Sequence, residues 1–64
     1  MSAKNPKLTA ANESAVLALV QNSTARQQWG AFKYLNGIKQ ANWAISKLFG
    51  VPVSTVDAAR FYWN

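Results

Sequence analysis

Apolar residues repeat at intervals of three and four along most of this chain, the period with which an α-helix turns one face toward a core. The first repeat comprises Ala11, Ala15, Val16, Leu19 and Val20. Thr9 stands just before it and can cap the free N–H groups of a first turn. Glu13 lies where the positive end of the helix dipole favours an acid. These features predict a first helix that begins at Thr9 and ends in the polar run 21–23.

A second helix follows, with Ser23 or Thr24 as its predicted cap. Its apolar stripe comprises Ala25, Trp29 and Phe32. Gly30 inside this helix costs about 1 kcal/mol relative to alanine. Its expected use is to let another helix come close or to mark a bend. Asn36 and Gly37 are predicted to end the helix, because both residue types tolerate the left-handed conformation at a helix end.

The third helix is predicted from Ile38 to Phe49, with Gly50 ending it. Its apolar stripe is the clearest in the chain and comprises Ile38, Ala41, Ile45, Leu48 and Phe49. Ser54 and Asp57 have the spacing of a Ser-x-x-acid capping pair at the start of a fourth helix. That helix is predicted to run from Thr55 to about Trp63.

The pattern contains no credible strand, since the β-branched cluster 51–56 holds Pro52 and two cap-forming hydroxyls. We therefore predict an all-α fold, a small bundle of three to four short helices. Residues 1–8 are predicted to form a flexible basic arm, and residues 9–64 a single domain.

Composition narrows the possible chemistry. The chain has 64 residues, of which seven are basic and two acidic, with no histidine and no cysteine. Disulfides, thiolate metal sites, cysteine nucleophiles and histidine acid–base catalysis are therefore excluded. The two carboxylates, Glu13 and Asp57, stand 44 positions apart, and nothing in the sequence brings them together. We expect a protein that is not an enzyme and that holds no metal or cofactor.

The net charge of +5 reflects too few acids rather than many bases. Such a field favours anionic partners, among them nucleic acid, a membrane surface or an acidic protein face. No apolar run approaches the length that spans a bilayer, and the N-terminus has no apolar core of signal-peptide length. These features predict a cytoplasmic protein.

The segment 42–61 combines two predicted helices with a glycine between them. Apolar residues fill the positions that must pack the helices together, namely Ile45, Phe49, Val51, Val56 and Ala59. Ser46 is small, as required four residues before Gly50, where the second helix crosses. This segment resembles the helix-turn-helix of bacterial and phage DNA-binding proteins. An ordinary packed helical corner is the alternative.

The resemblance implies binding to DNA, by a phage- or plasmid-type transcriptional regulator that could dimerise. The candidate nucleic-acid contacts are Lys4, Lys7, Lys33, Lys39, Lys47, Ser54, Thr55 and Arg60. The outer face of the fourth helix is expected to hold Pro52, Val53, Ser54, Asp57, Ala58 and Phe61, none of which makes bidentate base contacts. Binding is therefore expected to be phosphate-led and weakly sequence-specific. Alternatively, each of these basic residues is only a solvated side chain.

The consecutive aromatics Phe61, Tyr62 and Trp63 offer another reading. On a helix they point over a wide arc, so one core cannot take all three. Exposed members would be either partner-binding anchors or a platform on which bases stack, and the alternative is a terminal latch on the core. A protein-binding module, acting as an adaptor, an inhibitor or a subunit of a larger assembly, is thus the alternative function. A leaderless cationic bacteriocin that acts on membranes is a third, less favoured one.

Overall fold

Four α-helices account for most of residues 7–63, the part of the chain that the computed structural model describes. They are α1 (Glu13–Val20), α2 (Ser23–Asn36), α3 (Ile38–Phe49) and α4 (Val53–Trp63), and no strand occurs among these residues. α2 packs mainly on α3, α1 packs mainly on α4, and α4 also contacts α3. The predicted small all-α bundle is confirmed.

The start of α1 differs from the prediction. The helix begins at Glu13, four residues after Thr9. Thr9 donates its backbone N–H to Asn12 Oδ1 at 2.7 Å, and the Asn12 N–H is 3.3 Å from Thr9 Oγ1. This reciprocal pair closes a turn before the helix, because the two side chains satisfy the N–H groups that a regular helix would leave free. Glu13 does lie in the first turn of α1, as predicted.

The start of α2 is capped one residue earlier than predicted. Asn22 is the cap, and its Oδ1 accepts the backbone N–H of Ala25 at 3.1 Å. Ser23 and Thr24, the predicted caps, are the first residues of the helix itself. Asparagine serves this position as well as serine does, because its side-chain oxygen reaches the same N–H group.

Two of the three glycines end helices as predicted. Gly37 has φ +89° and Gly50 has φ +66°, backbone conformations that an L side chain rarely adopts. After Gly50, the Val51 N–H donates to the Ser46 carbonyl at 3.1 Å and closes the turn. The expectation that Gly30 admits a neighbouring helix is wrong, since a Cβ built there meets nothing within 4 Å.

α4 also begins differently from the prediction. It starts at Val53, directly after Pro52, whose carbonyl accepts the N–H groups of Thr55 and Val56 at 3.0 and 3.3 Å. The predicted capping role of Asp57 is not observed. Its carboxylate instead binds side chains of α3, of α4 itself and of the N-terminal segment.

The core is formed by one face of each helix. Its buried apolar members are Val16, Leu19, Ala25, Trp29, Ala41, Ile45, Val56, Ala58, Ala59 and Trp63. Phe32, Phe49 and Val51 pack against them. Ile38 and Leu48 were expected on the buried stripe of α3 but are exposed. The buried residues of α3 are Ala41, Asn42 and Ile45.

Candidate nucleic-acid interface

A chain of polar contacts runs through the bundle from α2 to α4. Trp29 donates its indole Nε1–H to Asn42 Oδ1 at 2.7 Å, and Asn42 Nδ2 donates to Asp57 Oδ1 at 3.3 Å. Asn42 is only 7% exposed, so these hydrogen bonds satisfy an amide that would otherwise be costly to bury. The chain links three helices and holds Asp57 in a defined position beside α3.

Two cations complete the surroundings of Asp57. Arg60 Nε donates to Asp57 Oδ1 at 2.7 Å, and Lys7 Nζ lies 3.0 Å from Oδ2. Burial by itself raises the pKa of the Asp57 carboxyl, but hydrogen bonds from Lys7 and Arg60 and their positive charges outweigh it. The pKa of Asp57 is therefore lower than that of a free aspartate, and the group is ionised at neutral pH.

This cluster changes the list of candidate phosphate contacts. Lys7 and Arg60 were predicted to bind nucleic acid, but both are engaged by Asp57. Lys7 and Leu8 were both assigned to the flexible arm. In the structure Lys7 pairs with Asp57 of α4, and Leu8 packs against the core. Lys4 lies outside the described residues.

The outer face of α4 carries little that could read DNA. Ser54 is exposed there, beside Val53 and the partly covered Asp57. Thr55, predicted as a hydrogen-bonding contact, is buried, so its side chain does not reach the surface. Ala58 was expected on the outer face but is completely buried, because α1 as well as α3 packs against α4.

The remaining cations lie on α2 and α3. Between residues 23 and 49 the chain has four basic residues and no acidic one, and all four are exposed: Arg26, Lys33, Lys39 and Lys47. None of them pairs with a carboxylate of residues 7–63. The helical pair α2–α3 thus concentrates uncompensated positive charge, whereas the charges around Asp57 largely cancel.

Aromatic rings accompany two of these lysines. Lys33 Nζ lies 5.1 Å from the centre of the Trp29 ring, and Lys47 Nζ lies 4.7 Å from that of Trp43. The two tryptophans differ in their surroundings. Trp29 is buried, so Lys33 covers the edge of the core, whereas Trp43 is 55% exposed on the outer side of α3.

An open groove of about 600 Å³ lies along α2 next to the end of α4. Its lining includes Arg26, Lys33, Tyr34, Trp29 and Trp63. Gly30 also contributes, and its missing side chain leaves this stretch of the helix open. The combination of two cations with aromatic walls suits an anionic group that also has a flat apolar part.

The three C-terminal aromatics do not act as one unit. Trp63 is buried, and its ring centre lies 5.6 Å from that of Trp29, so it serves as the latch on the core. Its Nε1–H has no hydrogen-bond partner among the described residues. Phe61 and Tyr62 are exposed and contact each other edge to face, with ring centres 6.0 Å apart. Only these two remain available as partner-binding anchors.

Two residues outside the predicted sites stand out in the structure, Asn42 in the core and Trp43 on the surface. Asn42 stands next to Ala41 and three residues before Ile45, both of which are buried, so its position near the inner face of α3 was visible in the sequence. Trp43 falls between Lys39 and Lys47 at intervals of four, which places all three on one face. The absence of acids from residues 23–49 was a further signal.

No helix among residues 7–63 is long and apolar enough to cross a membrane. Comparison of the chain with protein-family models, with curated proteins and with solved structures gives no match. The function of the protein therefore has to be inferred from its own side-chain geometry and charge.

Proposed function

We propose that this protein binds DNA through contacts made mainly to phosphates. The observation that carries this proposal is the separation of charge in the fold. α2 and α3 hold four exposed cations and no acid, while Asp57 engages Lys7 and Arg60 elsewhere. Cations without a protein counter-charge gain free energy by releasing the counterions condensed on a phosphate backbone.

The proposal assigns a different surface from the one that the helix-turn-helix resemblance implies. α3, α4 and the turn at Gly50 serve as scaffold, and the α2–α3 surface makes the contacts. The outer face of α4 presents Val53, Ser54 and Asp57, whose negative charge is compensated by Lys7 and Arg60. Little discrimination between base pairs is therefore expected. A phage- or plasmid-type regulator in the cytoplasm is part of this proposal, and a dimer would place two α2–α3 surfaces on one DNA molecule.

The test is a salt titration of DNA binding by fluorescence anisotropy with a labelled 20-nucleotide probe. With about four phosphates neutralised, affinity should fall roughly 50- to 150-fold between 50 and 200 mM salt. Lys33→Gln and Lys47→Gln should each lower the slope of log K against log salt by about 0.7–0.9. Arg60→Gln is the matched control, because Arg60 already faces Asp57.

Two results would contradict the proposal. One is no binding at 50 mM salt with micromolar protein. The other is an Arg60→Gln variant, shown by circular dichroism to be folded, whose salt slope falls further than that of either lysine variant. In that case the surface around α4, rather than α2–α3, would hold the DNA.

Protein binding is the second candidate function, because Phe61 and Tyr62 expose an aromatic pair at the end of α4. The partner could be a larger protein or a second copy of this chain. A purified complex with a stoichiometric partner, or a dimer seen in sedimentation, should be lost in Phe61→Ala/Tyr62→Ala. A complex that survives both substitutions would exclude this surface.

A further inference from the structure

Trp43 has no evident role in holding the domain together. It lies on the side of α3 opposite to Ala41 and Ile45, both of which are completely buried, and 55% of its own surface is exposed. The exposed part of the ring adds nothing to core packing and lowers solubility. Exposure alone does not distinguish Trp43, because Tyr34, Leu35 and Leu48 are more exposed, but its position between two lysines does.

The residues one helical turn on either side of Trp43 are both lysines. Lys39 and Lys47 stand four residues before and after it, so all three side chains lie in one row along the outer face of α3. Lys47 Nζ is held 4.7 Å from the centre of the ring. The row thus alternates a cation, a flat apolar surface and a second cation, without an acid on α3.

We propose that the row Lys39–Trp43–Lys47 is a stacking site for single-stranded nucleic acid, an inference that rests on the proposed function and names its preferred substrate. Trp43 stacks on one base, and the two lysines bind phosphates on either side of it. Aromatic rings beside cations are the usual elements of single-strand recognition, because every unpaired base has a free π-face and every nucleotide a phosphate.

The same geometry argues against a duplex as the preferred ligand. In a duplex the faces of each base are covered by its neighbours, so an exposed ring on a helix surface finds nothing to stack on. A duplex reader needs side chains that make bidentate contacts with base edges, and the outer face of α4 offers only the Ser54 hydroxyl, because Arg60 pairs with Asp57.

The contrast between Trp43 and Trp29 supports a functional assignment. Both rings carry a lysine within about 5 Å, at 4.7 and 5.1 Å. Trp29 is buried and hydrogen-bonded to Asn42, so it is needed for the fold. Trp43 makes the same cation contact at the surface, where the lysine and the exposed ring can meet a nucleotide together.

The experiment compares the affinities of the full chain for labelled dT20, rU20 and a 20-base-pair duplex at 50 mM salt. The wild type should bind the single strands at least fivefold more tightly than the duplex. Trp43→Leu, which keeps apolar bulk without a π-face, should weaken single-strand binding at least fivefold and leave the salt slope unchanged. Lys47→Gln should lower that slope by about 0.7. The dT20 and rU20 arms distinguish DNA from RNA as the source of the strand.

Leu48→Ala is the control, because Leu48 is a neighbouring apolar residue of α3 that is 59% exposed. It should change affinity less than twofold. Trp43 fluorescence gives an independent readout, since Trp29 and Trp63 are buried. Saturating dT20 should quench the exposed component of the emission, and Trp43→Phe should abolish that quenching.

The outcomes separate this inference from the proposed function. Steep salt-dependent binding to the duplex, with Trp43→Leu unchanged on every probe, would overturn the stacking site and leave phosphate-led DNA binding intact. No binding to any of the three probes would overturn both. If the protein binds anionic phospholipid vesicles through Trp43 and binds none of the nucleic acids, the row would be assigned to a membrane surface instead.

Discussion

Replacing Asn42 by alanine tests whether the polar contacts between α2, α3 and α4 stabilise the fold. The substitution removes the 2.7 Å acceptor of the Trp29 Nε1–H and the 3.3 Å donor to Asp57. An indole N–H left buried without a partner costs about 1–3 kcal/mol. The space vacated by the amide adds about 1 kcal/mol. Asp57 keeps Lys7 and Arg60, so the loss of its contact with Asn42 adds little.

The expected destabilisation is therefore about 2–4 kcal/mol. A domain of 64 residues has a total stability of roughly 3–10 kcal/mol, so this is a large fraction. Urea and thermal unfolding followed by circular dichroism at 222 nm measure it directly. The midpoint of thermal unfolding should fall by about 15–30 °C. Gln40→Ala, an exposed amide on the same helix, should change stability by less than about 0.5 kcal/mol.

A double-mutant cycle identifies the interaction responsible. In a Trp29→Phe background the indole donor is already absent, so Asn42→Ala should cost at least about 1 kcal/mol less than it does in the wild type. Additive effects of the two substitutions would refute the hydrogen-bonding explanation. So would an Asn42→Ala variant as stable as Gln40→Ala.

Three further predictions follow from the structure. Gly50→Ala should destabilise by about 1–2 kcal/mol because φ is +66°, whereas Gly30→Ala, in open space within α2, should stabilise by about 1 kcal/mol; urea unfolding that gave both the same sign would contradict this. The pKa of Asp57 is lower in the folded state than in the unfolded chain, so its contribution to the free energy of unfolding is fully present above about pH 4 and is lost as pH falls through the lowered pKa. Asp57→Asn should therefore make stability less dependent on pH in that range. An acid unfolding profile identical to that of the wild type would contradict this. Trp63→Ala should cost about 3–5 kcal/mol, a large part of the total stability, whereas Tyr62→Ala should cost less than about 1.5 kcal/mol. Equal losses in thermal unfolding would contradict the latch assignment.

Helix ends were predicted correctly where the local sequence allows only one structure, and wrongly where a second local structure competes with the helix. The range of α3 was predicted correctly because Gly37 and Gly50, with positive φ, end the neighbouring turns wherever the rest of the chain goes. The start of α1 was misplaced because Thr9 and Asn12 satisfy each other in a closed turn, which competes with helix formation there.

The candidate site was harder to predict. The exposed positions of Lys33, Lys39 and Lys47 followed from helical periodicity and agree with the structure. The Arg60–Asp57 pair joins residues three apart on one helix and was visible in the sequence, whereas the contact of Lys7 with Asp57 depends on where the segment before α1 lies against α4. The net charge of the chain includes both cations as if they were available for an anionic partner, but in the fold both already pair with the Asp57 carboxylate.

By itself the sequence determined the all-α class, most of the helix ends and the lack of histidine and cysteine chemistry, because these follow from residue type and spacing along a few neighbouring positions. The tertiary structure decided which aromatic ring is core and which is surface. Trp63 closes on Trp29, while Trp43 stays in water, although all three sit in amphipathic helices. It also decided part of the charge distribution, since packing of the segment before α1 against α4 adds Lys7 to the Asp57–Arg60 pair that α4 already holds.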